Sequence, residues 1–316
     1  MKISKFMLPL IILLLFPFLL ANSALCEKKE EKRIIPDKVI KELEEGLSTL
    51  QSNGVFNLSF SNSFYFPAQM GKTFASVIFK AELKKDLEEI KEIKKEGLQL
   101  PYYKFFMRVY RTNERGRELY HEYFSPIPSD GEDAEFYSFG IPLEEGEYLF
   151  AIEVTRSDFS KFGTLFFKLL IPSMFVKELD FSTPFFIKEI KELPEPETIF
   201  TVHRNSITVG RVSISTYLSA KFKVEENPTL FFYVIGAQIR DDGTTNLELN
   251  ITIKDEKKDV LKYTPVTLSY PVVAQPMIFK SQNFTLQKGN YTLEVKIKDK
   301  VANKEKEGEI PFEIIE

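Results

Sequence analysis

Two stretches of the chain carry one pattern. Ile141-Pro-Leu-Glu-Glu-Gly-Glu-Tyr-Leu-Phe-Ala-Ile-Glu-Val154 and Phe284-Thr-Leu-Gln-Lys-Gly-Asn-Tyr-Thr-Leu-Glu-Val-Lys-Ile297 align without a gap. Leu143, Gly146 and Tyr148 recur 143 residues later as Leu286, Gly289 and Tyr291. After each tyrosine, apolar side chains fall at every second position: Tyr148, Phe150, Ile152 and Val154, then Tyr291, Leu293, Val295 and Ile297. Successive side chains of a strand point to opposite faces, so this alternation specifies a strand with one buried face. Its recurrence specifies two copies of one unit, and a duplicated unit bounds the fold more tightly than any isolated motif.

The similarity extends upstream. Thr73–Leu83 aligns with Thr229–Ile239 at an offset of 156, which is 13 residues more than the first offset and places an insertion in the first copy. Lys85–Gly97 has the length and charge for it. The copies end alike at Ile171-Pro172 and Ile310-Pro311, giving units near 55–172 and 199–316. Leu247, Leu249, Ile251 and Ile253 alternate as strictly, and turn signals such as Asp242-Gly243, Lys288-Gly289-Asn290 and Asp130-Gly131 separate the runs. Short strands at this spacing predict an all-β protein of two β-sandwiches.

The Leu-x-x-Gly-x-Tyr-x-[Phe/Leu] element resembles the tyrosine corner of immunoglobulin-like and fibronectin type III-like domains. That resemblance assigns structural roles to Leu143, Gly146, Tyr148, Leu286, Gly289 and Tyr291. In such corners the Leu plugs the core, the Gly relaxes the turn and the Tyr hydroxyl bonds to upstream backbone. Residues 232–237 and 269–276 are also similar to exported bacterial proteins of uncharacterised function. The resemblance implies two tandem immunoglobulin-like domains and a compartment. It implies no activity.

Two segments keep helical spacing instead. Val39, Ile40, Leu43, Leu47 and Leu50 predict an N-terminal helix over 37–52. Leu83, Leu87, Ile90 and Ile93 predict a helical insertion near 85–97, read either as a solvated helix over a sheet edge or as a docking helix. Residues 173–198 form a connector too rich in Phe for a flexible linker, which favours a fixed angle between the sandwiches.

The first 25 residues read as a secretory signal: Lys2 and Lys5, an apolar stretch from Phe6 to Leu20, then small residues through Ala24. That stretch is short for a spanning helix, which needs about 20 residues. An exported chain without a transmembrane span in its mature form follows, placed in the periplasm or outside a bacterial envelope. Cys26, the only cysteine, sits where a lipid anchor would attach, although Leu25 before it fits that signal poorly; an unpaired residue near the cleavage point is the other reading. One thiol allows no internal disulfide. The Asn-x-Ser/Thr sites at Asn57, Asn250, Asn283 and Asn290 are then incidental.

The inventory of reactive side chains is short. The chain has no tryptophan and two histidines, His121 and His203, in non-matching positions of the copies. No nucleophile elbow, phosphate loop, dinucleotide fingerprint or zinc-ligand spacing occurs. The sequence therefore assigns no catalytic, cofactor-binding or metal-binding residue, and no cofactor. Asp130, Glu132, Asp133 and Glu135 form an acidic loop that could attract calcium or simply be solvated. A net charge of −4 without a basic aromatic cluster argues against nucleic acid as a partner.

The copies differ on matched strands. Leu149 and Ala151 stand where the second copy has Thr292 and Glu294, and Phe232 and Val234 stand where the first has Ser76 and Ile78. A strand apolar on both faces is covered on both. These four residues are the candidate interface, either with the chain's own elements or with a partner. The functional expectation is a non-enzymatic interaction or assembly module with another envelope or surface protein as partner. The alternative is an accessory protein that binds a polysaccharide or peptide; an unrecognised hydrolase is a third reading.

Overall fold

A computed structural model describes residues 35–316 apart from 94–101, 128–133, 198, 225, 227–228, 256–258, 264–265, 269–273 and 281–285. The signal segment 1–25, Cys26, the acidic residues 130–133 and the distal end of the insertion lie outside the described residues. The described chain is all-β in character, with two α-helices, and divides into two compact units. Unit 1 ends at Pro172 and also takes 191–213; unit 2 comprises 173–190 and 214–316. The chain thus passes between the units three times.

In unit 1 the first sheet contains β1 (Leu58–Pro67), β2 (Thr73–Ala81), β5 (Tyr137–Leu143) and β10 (His203–Arg204), in the order β1-β2-β5-β10. The second contains β3 (Tyr103–Asn113), β4 (Gly116–Ile127), β6 (Gly146–Arg156) and β7 (Phe162–Ile171), in the order β4-β3-β6-β7. The pairings within both sheets are antiparallel. Ala75, Val77, Phe79, Phe105, Met107, Phe139, Phe150 and Ile152 meet in one core between them, the inward halves of alternating patterns.

Both helices lie in unit 1. α1 (Asp37–Leu47) starts after an extended Pro36, with Asp37 in its first turn where the helix dipole favours an anion. Its buried side chains, Val39, Ile40, Leu43 and Leu47, form one stripe, with Lys41–Glu45 paired on the opposite side and Lys38–Glu42 along the border of the stripe. α2 (Lys84–Ile93) follows β2. Leu83, just before it, and Leu87 and Ile90 on it belong to the main core of unit 1, so its apolar face is turned inward.

Unit 2 repeats the strand order. Phe185–Ile187 of β9 (Phe185–Glu192) pairs with Thr229–Phe231 of β14 (Thr229–Ile235), and β8 (Asp180–Phe181) continues along the same side. β18 (Ala274–Lys280) lies on the other side of β14. The facing sheet runs β13 (Lys221–Lys223), β20 (Lys304–Ile315), β19 (Gly289–Asp299), β15 (Leu247–Lys254), β16 (Asp259–Lys262), with β17 (Val266–Leu268) also on β15. The order β9-β14-β18 parallels β1-β2-β5, and β16-β15-β19-β20 parallels β4-β3-β6-β7. Residues 173–198, expected to connect two sandwiches, carry the strands β8 and β9. The remaining strands, β11 (Ile207–Val209) and β12 (Val212–Thr216), flank a turn at Gly210.

The upstream alignment of the copies is out of step by one residue. The core residues of β2 are Ala75, Val77 and Phe79, whose aligned partners are Phe231, Tyr233 and Ile235. The residues of β14 in the core between the sheets are Leu230, Phe232 and Val234. β14 is apolar on both faces, so alternation carries no information about which face is which.

Candidate functional site

The repeated element comes first because it orders the strands around it. Leu143 and Leu286 are buried in their respective cores, and Gly146 and Gly289 open β6 and β19 with φ of 147° and 159°. The Tyr291 hydroxyl donates to the carbonyl of Gln287 at 2.9 Å. Tyr148 is fully buried, its ring edge-on to Tyr120 at 5.5 Å, and its hydroxyl has no hydrogen-bond partner among the described residues. Burial holds that phenol above its ordinary pKa, against the opposing effect of Arg111.

The four candidate interface residues are interior. Leu149 and Ala151 point away from the main core into a second cluster, where Ile35 and the α1 side chains Val39, Ile40, Leu43 and Leu47 meet Phe106, Tyr110 and Phe166. The N-terminal helix is their cover. Phe232 and Val234 are fully buried between the two sheets of unit 2.

One carboxyl lies on the face that α1 covers. Glu153 on β6 follows Leu149 and Ala151 at the next outward position and is fully buried. Neither of its oxygens has a hydrogen-bond partner at bonding geometry among the described residues. Burial, and next the Glu42 carboxyl of α1, push its pKa up to about 9, opposed by Lys38. Two facing carboxyls can share a hydrogen bond only when one of them carries a proton.

A second buried carboxyl is fully partnered. Asp86 of α2 accepts from Arg156 at 2.5 and 2.8 Å, from Lys161 at 3.0 Å and from the Tyr103 hydroxyl at 2.9 Å. Burial alone would raise its pKa, but the bonds from Arg156, Lys161 and Tyr103 hold it below the ordinary value. This constellation clamps α2 to β3 and β6.

The exposed features are an edge and a groove. β4 ends its sheet, pairing only with β3 among the described residues, and most of its twelve residues are exposed or half-buried. A bulge at Tyr120, between the pairs Val109–His121 and Tyr110–Leu119, divides it into two regular stretches, 116–119 and 121–127. Leu119 and Phe124 are 41% and 36% exposed, and they lie on the same face as Phe106 and Tyr110, beside α1. Arg117 of β4 donates to the Leu47 carbonyl at 2.9 Å, satisfying an end group of α1. In unit 2 a groove of about 410 Å³ is lined by Lys221, Lys254, Asn290, Tyr291, Phe312 and Glu313, among others. Tyr291 and Phe312 stack at 5.5 Å, Lys221 pairs with Glu313 at 2.6 Å, and Lys254 pairs with Glu294.

The outer face of β15, β19 and β20 is a charged grid in which Lys296 and Lys298 pair with Glu305, and Lys300 pairs with Glu248. His203 sits on β10 with Nε2 2.8 Å from Glu197; His121 lies against Tyr123, ring centroids 4.4 Å apart. No group of three His, Cys, Asp or Glu residues that could hold a metal is found among the described residues, and no described helix is long and apolar enough to cross a membrane.

Sequence reasoning missed Glu153 and the β4 edge. Glu153 had a signal: it follows Leu149 and Ala151 on the outward face of β6, a carboxyl directly after two apolar positions that need a cover, whereas Glu147 at the start of that face is part-exposed and pairs with Lys168. β4 had none, because Arg117–Pro126 follows no clear alternation and edge position depends on strand order. No protein-family model and no curated protein matches the chain.

Proposed function

We propose that the chain is a non-enzymatic, exported interaction module made of two tandem immunoglobulin-like sandwiches, and that it docks an extended segment of another envelope or surface protein along the open edge of β4. The observation that carries this reading is the edge itself: β4 pairs only with β3 among the described residues, and its exposed and half-buried part, Gly116–Phe124, has Leu119 and Phe124 exposed beside it, whereas Ser125, which accepts from the Val202 backbone N–H at 3.0 Å, and Ile127 are buried. An unpaired strand edge offers a row of backbone donors and acceptors, and main-chain bonding to an added strand supplies affinity. The bulge at Tyr120 suits this role, since it interrupts the flat edge that would promote self-association.

The immunoglobulin-like reading is supported by the order β1-β2-β5, to which the two-residue β10 is added, against β4-β3-β6-β7, by the repetition of these orders in unit 2, and by a tyrosine near the start of β6 and of β19. Export is supported by the signal-like first 25 residues. The double variant Leu119→Lys/Phe124→Lys should lose a crosslinked envelope partner while its thermal transition moves by no more than a few degrees. Retention of the partner by this double variant refutes the assignment to β4.

A second reading, an accessory protein that binds a polysaccharide or peptide, is favoured by the groove with its Tyr291–Phe312 stack and polar rim. A glycan and peptide panel that raises the thermal midpoint of the chain, but not of Tyr291→Ala, would support it.

A further inference from the structure

The N-terminal helix covers an apolar sheet face with an unpartnered carboxyl in the middle of the seam. Glu153 has Leu149 and Ala151 before it on the same face, Phe106 opposite on β3 and Thr164 opposite on β7. From α1, Glu42 and Lys38 face it. Lys38 is engaged elsewhere, donating to the Phe159 carbonyl at 2.9 Å and lying 4.0 Å from Glu42. The nearby cation of β3, Arg108, is held by Glu44 of α1 at 2.9 Å and by Glu122 of β4 at 2.9 Å. Among the described residues the structure therefore places a second carboxylate, and no cation committed to it, against a carboxyl removed from water. A buried carboxylate without a partner is far costlier than the neutral acid.

We propose that α1 is a proton-dependent latch: it is seated while Glu153 is protonated, and loss of that proton releases the helix and uncovers Leu149, Ala151, Phe106 and Phe166. The sign follows from linkage. Below the ordinary carboxyl value of 4.5 Glu153 is protonated whether the helix is seated or released, and pH has no effect through this group. Between 4.5 and about 9 the seated form holds the proton and the released form does not, so seating weakens as pH rises. Above that range both forms are ionised and the effect is complete. Within the window each pH unit changes the seating equilibrium by up to about tenfold. The apolar face exposed on release is the one whose sequence suggested an interface; the inference does not rest on the β4 reading.

The test is amide hydrogen exchange on the full chain from pH 5 to 9, corrected for intrinsic rates, comparing α1 (Asp37–Leu47) with β6 in the same molecule. Protection of α1 should fall at least about tenfold relative to β6 across this range. In Glu153→Gln, which keeps the shape and removes the proton, α1 protection should stay flat and high. Glu42→Gln should show a smaller fall than the unaltered chain, because the facing negative charge is gone. Constant α1 protection in the unaltered chain, or an equal fall in Glu153→Gln, overturns the latch. The β6 amides report in each variant whether the sandwich is intact.

Discussion

Tyr148 and Tyr291 hold matching places in the two units and make unequal bonds. The Tyr291 hydroxyl reaches the Gln287 carbonyl, four residues upstream, whereas the Tyr148 hydroxyl is buried without a hydrogen-bond partner among the described residues. A hydrogen bond contributes about 1 kcal/mol net, while an unsatisfied buried hydroxyl contributes only its desolvation cost. Tyr291→Phe should therefore destabilise the chain by about 0.5–1 kcal/mol, and Tyr148→Phe should be neutral or stabilising. Urea unfolding of the two variants measures the difference; equal losses would contradict it. Both tyrosines were legible in the sequence, because the repeated spacing names them. Their inequality was not, since it depends on what lies above each ring.

At the scale of elements, α2 depends on one carboxylate. Asp86→Ala would leave the guanidinium of Arg156 half-compensated by Glu89 at 3.1 Å, and removing one partner of a buried pair costs about 3 kcal/mol or more. The pH dependence has the opposite sign to that of Glu153. Asp86 is held below its ordinary value, so its contribution is present above about pH 4 and is lost as pH falls through the depressed folded value. A thermal midpoint that drops on acidification in the unaltered chain, and less steeply in Asp86→Asn, is the expected outcome. Strands β15 and β19 were readable because one face lies in the core and the other carries a solvated grid of Lys and Glu, which makes alternation strict. β14 was readable as a strand but not in register, because Leu230–Ile235 is buried on both faces. The helices were readable from spacing. That α1 covers Leu149 and Ala151, and that α2 packs inward, came only from the strand order that sets which faces are open.

At the scale of the molecule, the unit boundaries do not fall at single points in the sequence. Phe185–Ile187 supplies the strand beside Thr229–Phe231, and the Phe186 carbonyl accepts from Thr216 Oγ1 at 2.8 Å and from the Tyr217 backbone at 3.1 Å. A chain cut to 199–316 lacks β8 and β9 and leaves one side of β14 open, with Leu230 and Phe231 paired only with β18. It should show broad, non-cooperative unfolding, whereas 173–316 should give a cooperative transition. Calorimetry on the two fragments distinguishes them, and a sharp transition for 199–316 would contradict the division. The duplication was legible because the Leu-x-x-Gly-x-Tyr element survives in both copies. The crossings at 172, 190 and 213 were not, because no composition change marks them.

Site-specific photo-crosslinking reports on the β4 edge itself. A crosslinking side chain is placed at Phe124 or Glu118 on β4, and for comparison at Glu307 on the charged outer face of β20, in the natively exported chain. If β4 is the docking edge, one discrete adduct, from a single envelope or surface protein, forms at the two β4 positions and none at Glu307. Adducts of the same mass at Glu307, or none at β4, would contradict it.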